Sequence, residues 1–140
     1  MKDKMKDKNS ILNNKRVLLV EDDHNLAHRL QNYLDSTHQT QTATAANLSE
    51  AYLYLKTQKP HLIILDRQLG LDDGIELLQH IRKSPALEDI AVVMLTGKGT
   101  EEDKDLAHQY HADGYLTKPF ITKDLIRQIE TLLRLSLIHI

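Results

Sequence analysis

A carboxylate follows a short apolar run near the middle of the chain, where a buried strand would end. Leu62 to Leu65 form the run, Asp66 follows it, and Gly70 and Gly74 mark a loop beyond. Such a run is typical of a strand buried on both faces of a parallel sheet. Because open parallel sheets carry their chemistry just beyond the carboxyl ends of their strands, Asp66 stands at the expected position of a site.

Other polar side chains follow the other apolar runs in the same way. They are Glu21 and Asp22 after residues 17–20, Thr96 after 90–95 and Lys118 after 114–117. Since the carboxyl ends of parallel strands meet at one edge of a sheet, we expect these groups to converge on one pocket with Asp66.

Three carboxylates, an ammonium and a hydroxyl in one pocket suit a narrow class of chemistry. The carboxylates repel one another unless a cation neutralises them, and Mg²⁺ fits better than Ca²⁺ because it needs fewer protein ligands. Lys118 and Thr96 then face an anion. This combination matches transfer of a phosphoryl group to Asp66, with the carboxylate attacking in line while metal and ammonium offset the charge on the phosphoryl oxygens.

Strand and helix periods alternate from Arg16 onward. Helical spacing follows each strand candidate, at residues 26–34, 48–55, 74–81, 101–110 and 125–133. Thr40 to Ala45 is a weaker second strand near an edge. Five strand–helix units predict an α/β fold, a doubly wound, flavodoxin-like parallel sheet of order 2-1-3-4-5 with helices on both faces.

Several polar residues outside the pocket have structural interpretations. Asp23 is predicted to cap the first helix rather than bind metal, and Asn47 with Glu50 gives a second cap. His24 and His28 have a spacing that can bind zinc, but no third ligand is apparent. All eight histidines are therefore predicted to be surface residues.

Composition excludes several function classes. With 140 residues, 41% hydrophobic residues and a net charge of -2, the chain predicts one globular domain that does not itself bind nucleic acid. The absence of cysteine excludes disulfides, zinc–thiolate sites and cysteine nucleophiles, and with no apolar run long enough for a membrane span it predicts a cytoplasmic protein. The predicted organisation is a mobile tail at 1–14, the domain at 15–135, and a tail or linker remnant at 136–140.

Four segments together resemble the receiver domain of the response regulators of two-component signal transduction. They are Val-Leu-Leu-Val-Glu-Asp-Asp at 17–23, Ile-Ile-Leu-Asp at 63–66 with Gly74 beyond, Val-Val-Met-Leu-Thr-Gly at 92–97 and Gly-Tyr-Leu-Thr-Lys-Pro-Phe at 114–120. Each segment is common by itself, but four in this order at the ends of the right strands are specific.

The resemblance implies a role for each residue of the pocket. Asp66 would accept a phosphoryl group from a phosphohistidine on a histidine kinase or histidine phosphotransfer protein. Asp22 would bind Mg²⁺ directly, Glu21 through water, and Gln68 through its backbone carbonyl, with Asp66 also on the metal. The chain would catalyse only its own phosphorylation and dephosphorylation, so it would not be an enzyme in the usual sense.

The remaining implied roles concern switching. Lys118 would contact the phosphoryl group, and the Lys118-Pro119 bond would be cis. Thr96 would move towards the phosphoryl oxygens and Tyr115 would turn inward behind it, remodelling the face made by the fourth helix, fifth strand and fifth helix.

A homodimer through this face is a hypothesis. One departure is Gly70, where the family usually has proline, which predicts a more mobile loop.

Three other functions remain open at this point. A degenerate receiver could act as a phosphorylation-independent docking scaffold. A phosphatase of the haloacid-dehalogenase type would want a second aspartate where this chain has Gln68. A nucleotide or flavin binder would need a phosphate-binding loop after the first strand, where this chain has acidic residues that repel phosphate.

Overall fold

The computed structural model describes residues 10–138 and contains one five-stranded parallel sheet between two layers of helices. We number the sheet strands β1 (Arg16–Val20), β2 (Gln41–Ala45), β3 (Leu62–Asp66), β4 (Ala91–Thr96) and β5 (Gly114–Thr117). The helices are α1 (His24–Thr37), α2 (Leu48–Thr57), α3 (Gly74–Lys83), α4 (Glu101–Gln109) and α5 (Thr122–Ile138). The strand order is β2-β1-β3-β4-β5, which confirms the predicted fold and leaves the threonine-rich β2 at an edge.

Alternation along the buried strands divides the core between the two faces of the sheet. Leu18 and Ile63 pack with α2, α3 and α4 on one face, and Leu19 and Ile64 pack with α1 and α5 on the other. All five residues of β3 are buried, as the continuous apolar run predicted. The central strand is therefore fixed on both faces, which holds Asp66 at its end.

Side-chain caps fix where the helices near the pocket begin. Asp23 accepts hydrogen bonds from the backbone N–H groups of Asn25 and Leu26 and caps α1, as predicted. Asn47 caps α2 through the N–H of Glu50, also as predicted. Each cap satisfies a backbone N–H group that has no partner within its own helix.

The N-terminal boundary differs from the prediction. Residues 10–14 lie within the segment predicted to be a mobile tail, but Ser10 and Leu12 are buried. Ser10 is hydrogen-bonded through its hydroxyl to His38 Nδ1 at 2.8 Å, and Leu12 joins the core beside α1 and α5. The rest of the predicted tail, residues 1–9, lies outside the described residues.

The histidine prediction fails at the same place. His38 is 5% exposed, because it follows α1 and packs edge-on against Tyr33 while Ser10 covers it. Six of the others are exposed, and His139 lies outside the described residues.

The last helix is longer than its apolar stripe indicated. α5 runs through Ile138, into the segment predicted to be a tail or linker remnant, and residues 139 and 140 lie outside the described residues. Between residues 10 and 138, the chain has no helix with both the length and the apolar character that crossing a bilayer requires.

Candidate functional site

The carboxyl ends of β1 and β3 bring three acidic side chains together. Carboxylate oxygens of Glu21, Asp22 and Asp66 all lie within 4.8 Å of one another. Glu21 and Asp66 are buried, whereas Asp22 is exposed. We call these three residues and Lys118 the acidic pocket. This convergence agrees with the prediction from the sequence. It arises because β1 and β3 are parallel neighbours in the sheet.

Lys118 reaches into the acidic pocket from the end of β5. Its ammonium donates to Asp66 Oδ2 at 2.8 Å and to Glu21 Oε1 at 2.7 Å. The Lys118-Pro119 peptide bond is cis, as the resemblance implied. One ammonium thus bridges two of the three carboxylates.

The acidic pocket has three carboxylates and one ammonium, so its negative groups outnumber its positive one. Burial first, and then the hydrogen bond with Asp66, raise the pKa of Glu21 to about 7, while the hydrogen bond from Lys118 opposes the change. Burial lowers the pKa of Lys118, but hydrogen bonds with Asp66 and Glu21 outweigh it and leave the pKa above its ordinary value. A second cation would relieve the remaining repulsion, so this oxygen-rich donor set fits a hard divalent ion such as Mg²⁺.

The loop between β3 and α3 is a tight hairpin. Residues 68–69 pair with residues 72–73, and Gly70 at the turn has a φ of 63°. Proline cannot adopt this φ. The N–H of Gly70, which proline would lack, donates to Asp22 Oδ2 at 3.0 Å. The residue that departs from the family pattern therefore ties the loop to the acidic pocket.

Gly74 permits a close backbone contact behind Asp66. A Cβ at this position would stand 2.3 Å from the backbone oxygen of Asp66, which no side chain tolerates. The N–H of Gly74 donates to the backbone oxygen of Arg67 at 2.6 Å. This contact brings the start of α3 against the end of β3 and fixes the backbone that carries Asp66.

A second polar cluster, built around a single carboxylate, lies beside the acidic pocket. Asp103 in α4 accepts hydrogen bonds from the hydroxyls of Thr96 at 2.8 Å and Tyr115 at 2.7 Å, and it is ion-paired with Arg67. We call these four residues the Asp103 cluster. Thr96 and Tyr115 were predicted as switch residues, and the structure brings both of them to this one carboxylate.

Sequence reasoning missed Arg67 and Asp103. Arg67 directly follows Asp66 and makes two hydrogen bonds to Asp73 in addition to its pair with Asp103. Asp103 is one of three acidic residues in the first turn of α4, a position where acidic residues are favourable in any helix. The sequence held one signal for this pair. Arg67 follows a carboxylate at the end of a strand that was predicted to be buried, and an arginine in such a place normally has an acidic partner elsewhere in the chain.

Gln68 and Lys98 are exposed at the rim of the site. The N–H of Gln68 donates to Asp66 Oδ1 at 3.1 Å, which steadies the carboxylate. The backbone oxygen of Lys98 accepts a hydrogen bond from Tyr115 at 2.9 Å.

Comparison with known proteins gives a consistent set of similarities. A family model described as a response regulator receiver domain matches residues 17–130. The alkaline phosphatase synthesis transcriptional regulatory protein PhoP of Bacillus subtilis is 35% identical over 123 residues, 88% of this chain and 50% of that protein. The phosphate regulon transcriptional regulatory protein PhoB of Escherichia coli is 34% identical over 120 residues, 86% of this chain and 52% of that protein. The chain thus spans about half the length of these relatives.

Solved structures with the same fold include two informative ones. The receiver domain of the Francisella response regulator 1452 has a TM-score of 0.79 and 28% identity, covering 88% of this chain and 99% of that one. The phosphorylated cyanobacterial phytochrome response regulator RcpA has a TM-score of 0.71 and 29% identity, covering 85% of this chain and 91% of that one.

Proposed function

Since the chain belongs to the family of response regulator receiver domains, we propose that it is a phosphoacceptor that receives a phosphoryl group on Asp66 and switches its α4–β5–α5 face in response. The family membership favours this function over the phosphatase and the nucleotide or flavin binder. Docking without phosphorylation remains the alternative that the experiment below addresses.

One observation carries the proposal. Lys118 bridges Asp66 and Glu21 at 2.8 and 2.7 Å, and the three carboxylates lie within 4.8 Å of one another. A carboxylate that only ends a strand or caps a loop has no need of an ammonium and two acidic neighbours. The arrangement suits a group that gains negative charge at Asp66.

The transfer itself requires a nucleophile held in place. A carboxylate oxygen of Asp66 would form the new bond to phosphorus while the bond between phosphorus and the donor's histidine nitrogen breaks, and the imidazole leaves. Asp66 Oδ2 is held by Lys118, and Oδ1 by the N–H of Gln68 at 3.1 Å. Lys118 would then follow the added charge and bind a phosphoryl oxygen.

The metal ion belongs to the same proposal. Asp22, Asp66, the backbone carbonyl of Gln68 and, through water, Glu21 would hold Mg²⁺. When bound, Mg²⁺ would offset charge on the phosphoryl oxygens. Three carboxylates with a single ammonium between two of them support a requirement for additional positive charge in the acidic pocket.

Partners follow from this chemistry. The donor would be a histidine kinase or a histidine phosphotransfer protein in the cytoplasm, a compartment that suits a chain without cysteine. A homodimer would use the α4–β5–α5 face, where the half-exposed Asp124 and the exposed Arg127 form an ion pair within α5. Sedimentation at several concentrations, with and without phosphorylation, tests the dimer, and a monomer under both conditions would remove it.

Intact mass after incubation with Mg²⁺ and acetyl phosphate tests the main proposal. We expect the chain to gain one phosphoryl group, to lose this gain without Mg²⁺, and to show no gain in Asp66→Asn. Asp72→Asn is the matched control, because this exposed carboxylate lies on the same loop. A folded chain that binds Mg²⁺ but gains no mass, from acetyl phosphate or from a phosphohistidine donor, would replace the proposal with phosphorylation-independent docking.

A further inference from the structure

Asp103 is a buried carboxylate to which the roles above assign nothing. Its residue is 8% exposed, whereas Glu101 and Glu102 in the same helical turn are exposed. An acidic residue in the first turn of a helix normally faces the solvent and interacts with the helix dipole. Asp103 instead points into the domain and accepts hydrogen bonds from three different elements.

The two hydroxyls of the Asp103 cluster share one oxygen atom. Thr96 and Tyr115 both donate to Asp103 Oδ2, at 2.8 and 2.7 Å, and Arg67 pairs with Oδ1. The alternative acceptor for both hydroxyls is the backbone oxygen of Lys98, 3.3 Å from Thr96 and 2.9 Å from Tyr115. For Thr96 the carboxylate is therefore the better acceptor, in both distance and charge.

A hydroxyl has a single proton to donate. The proposed function requires Thr96 to donate to a phosphoryl oxygen on Asp66, which it cannot do while its proton is directed at Asp103. A phosphoryl group on Asp66 and the carboxylate of Asp103 therefore compete for the same donor.

Arg67 links this competition to the loop that carries Asp66. It directly follows Asp66, its N–H donates to the backbone oxygen of Leu95 at 2.7 Å, and its side chain joins Asp73 to Asp103. Any displacement of Asp103 must therefore act against an ion pair as well as two hydrogen bonds from hydroxyls.

Resting on the proposed function, we propose that Asp103 is a positioning residue that holds the hydroxyl of Thr96 away from Asp66, so that a phosphoryl group on Asp66 must displace Asp103 before it receives this hydrogen bond. The residue thereby opposes switching. Its removal should make the switched state easier to reach.

The test uses the full chain, Mg²⁺ and beryllofluoride, an anion that mimics a phosphoryl group on a carboxylate. Nuclear magnetic resonance follows the Thr96 methyl and the Tyr115 ring during a beryllofluoride titration of the wild type, Asp103→Ala and Asp103→Asn. We expect half-saturation of Asp103→Ala at about a tenfold lower concentration, because a hydrogen bond to a charged acceptor no longer has to be broken. Asp103→Asn keeps an uncharged acceptor and should show a smaller change in the same direction.

Two controls separate this competition from a general effect of charge or folding. Asp105→Ala removes an exposed carboxylate from the same helix and should leave the half-saturation point unchanged. In a Thr96→Val background, which lacks the hydroxyl, Asp103→Ala should lower the beryllofluoride concentration at half-saturation very little. The difference between the two backgrounds measures the interaction through Thr96.

The outcomes are distinct. Equal tightening in both backgrounds, or none in either, would overturn the competition while leaving the proposed function intact. A wild type that binds Mg²⁺ but not beryllofluoride, and gains no phosphoryl group, would overturn the proposed function and the competition with it. If Asp103→Ala fails to fold, Asp103→Asn decides, and an unchanged half-saturation point in that variant would overturn the proposal.

Discussion

The acidic pocket and the Asp103 cluster lie side by side but differ in their balance of negative and positive charge. The acidic pocket has three carboxylates and one ammonium, and one of its acids has a pKa raised to about 7, chiefly by burial. In the Asp103 cluster a buried carboxylate has a guanidinium and two hydroxyl donors. The first is short of positive charge, and the second is satisfied from within the chain.

This difference separates what each cluster is suited to do. A pocket short of positive charge has a reason to bind a cation and, with that cation, an anionic group. A satisfied cluster resists change, since any movement of its donors breaks hydrogen bonds to a charged acceptor. Under the proposed function, phosphorylation would act on the acidic pocket, and the Asp103 cluster would limit its consequence.

Removing the Lys118 ammonium should have the largest effect on the free energy of unfolding. Lys118→Met leaves Glu21 and Asp66 without their shared cation, and we expect a loss of about 2–4 kcal/mol in the free energy of unfolding without Mg²⁺. Mg²⁺ should restore more stability to the variant than to the wild type, because the variant lacks the competing charge. Denaturant unfolding with and without Mg²⁺ measures both.

Lys59→Met is the matched control for Lys118→Met. Lys59 pairs with Asp89 at 2.8 Å, but the Lys59 side chain is 49% exposed and that of Asp89 71%, so the expected loss is about 0–1 kcal/mol. Equal losses of unfolding free energy in Lys118→Met and Lys59→Met would show that the acidic pocket is not short of positive charge.

The two clusters also differ in how far the sequence predicted them. The acidic pocket was predictable because each member ends a strand and parallel strands align their ends. The Asp103 cluster was predictable only in Thr96 and Tyr115. Arg67 and Asp103 are separated by 36 residues and lie in a loop and a helix start, where charged residues are ordinary.

The predicted N-terminal boundary failed for a related reason. Ile11 and Leu12 form an apolar pair between polar residues, which is too short to indicate a packed segment. The burial of Leu12 depends on a gap beside α1 and α5 that exists only after the domain has folded. The fold class needed no such knowledge, because the repeated strand and helix periods specify it locally.

The turn at Gly70 should show a smaller effect and tests how the loop is joined to the acidic pocket. Gly70→Ala keeps the N–H that donates to Asp22, but the φ of 63° costs a residue with a side chain about 1–2 kcal/mol. Gly70→Pro should cost more, since it loses that N–H as well. Thermal unfolding of both variants measures the order.

Gly97→Ala is the control for the loop. A Cβ at Gly97 meets no atom within 4 Å, and Gly97 does not have a positive φ. Stability in this variant should be unchanged or slightly higher. If Gly70→Ala is as stable as Gly97→Ala, the turn at Gly70 does not constrain the loop.

The smallest expected effect concerns the Tyr115 hydroxyl and its dependence on pH. Tyr115→Phe removes one donor to Asp103 and should cost about 1 kcal/mol near neutral pH. Burial first, and then the hydrogen bond to Asp103, raise the pKa of Tyr115 to about 12, above the ordinary value of about 10 for an unfolded chain. The folded chain therefore keeps this proton at a pH where the unfolded chain has begun to lose it.

The free energy of unfolding consequently falls as pH rises through this interval, since the folded state binds more protons there. Tyr115→Phe lacks this contribution, so the advantage of the wild type over the variant should shrink between about pH 10 and about pH 12. Denaturant unfolding of both chains across this interval measures the difference, with Tyr110→Phe as the control for loss of a tyrosine hydroxyl outside the cluster. An advantage that stays constant with pH would mean that Tyr115 does not donate to Asp103 in the folded chain, leaving Asp103 with Arg67 and Thr96 alone.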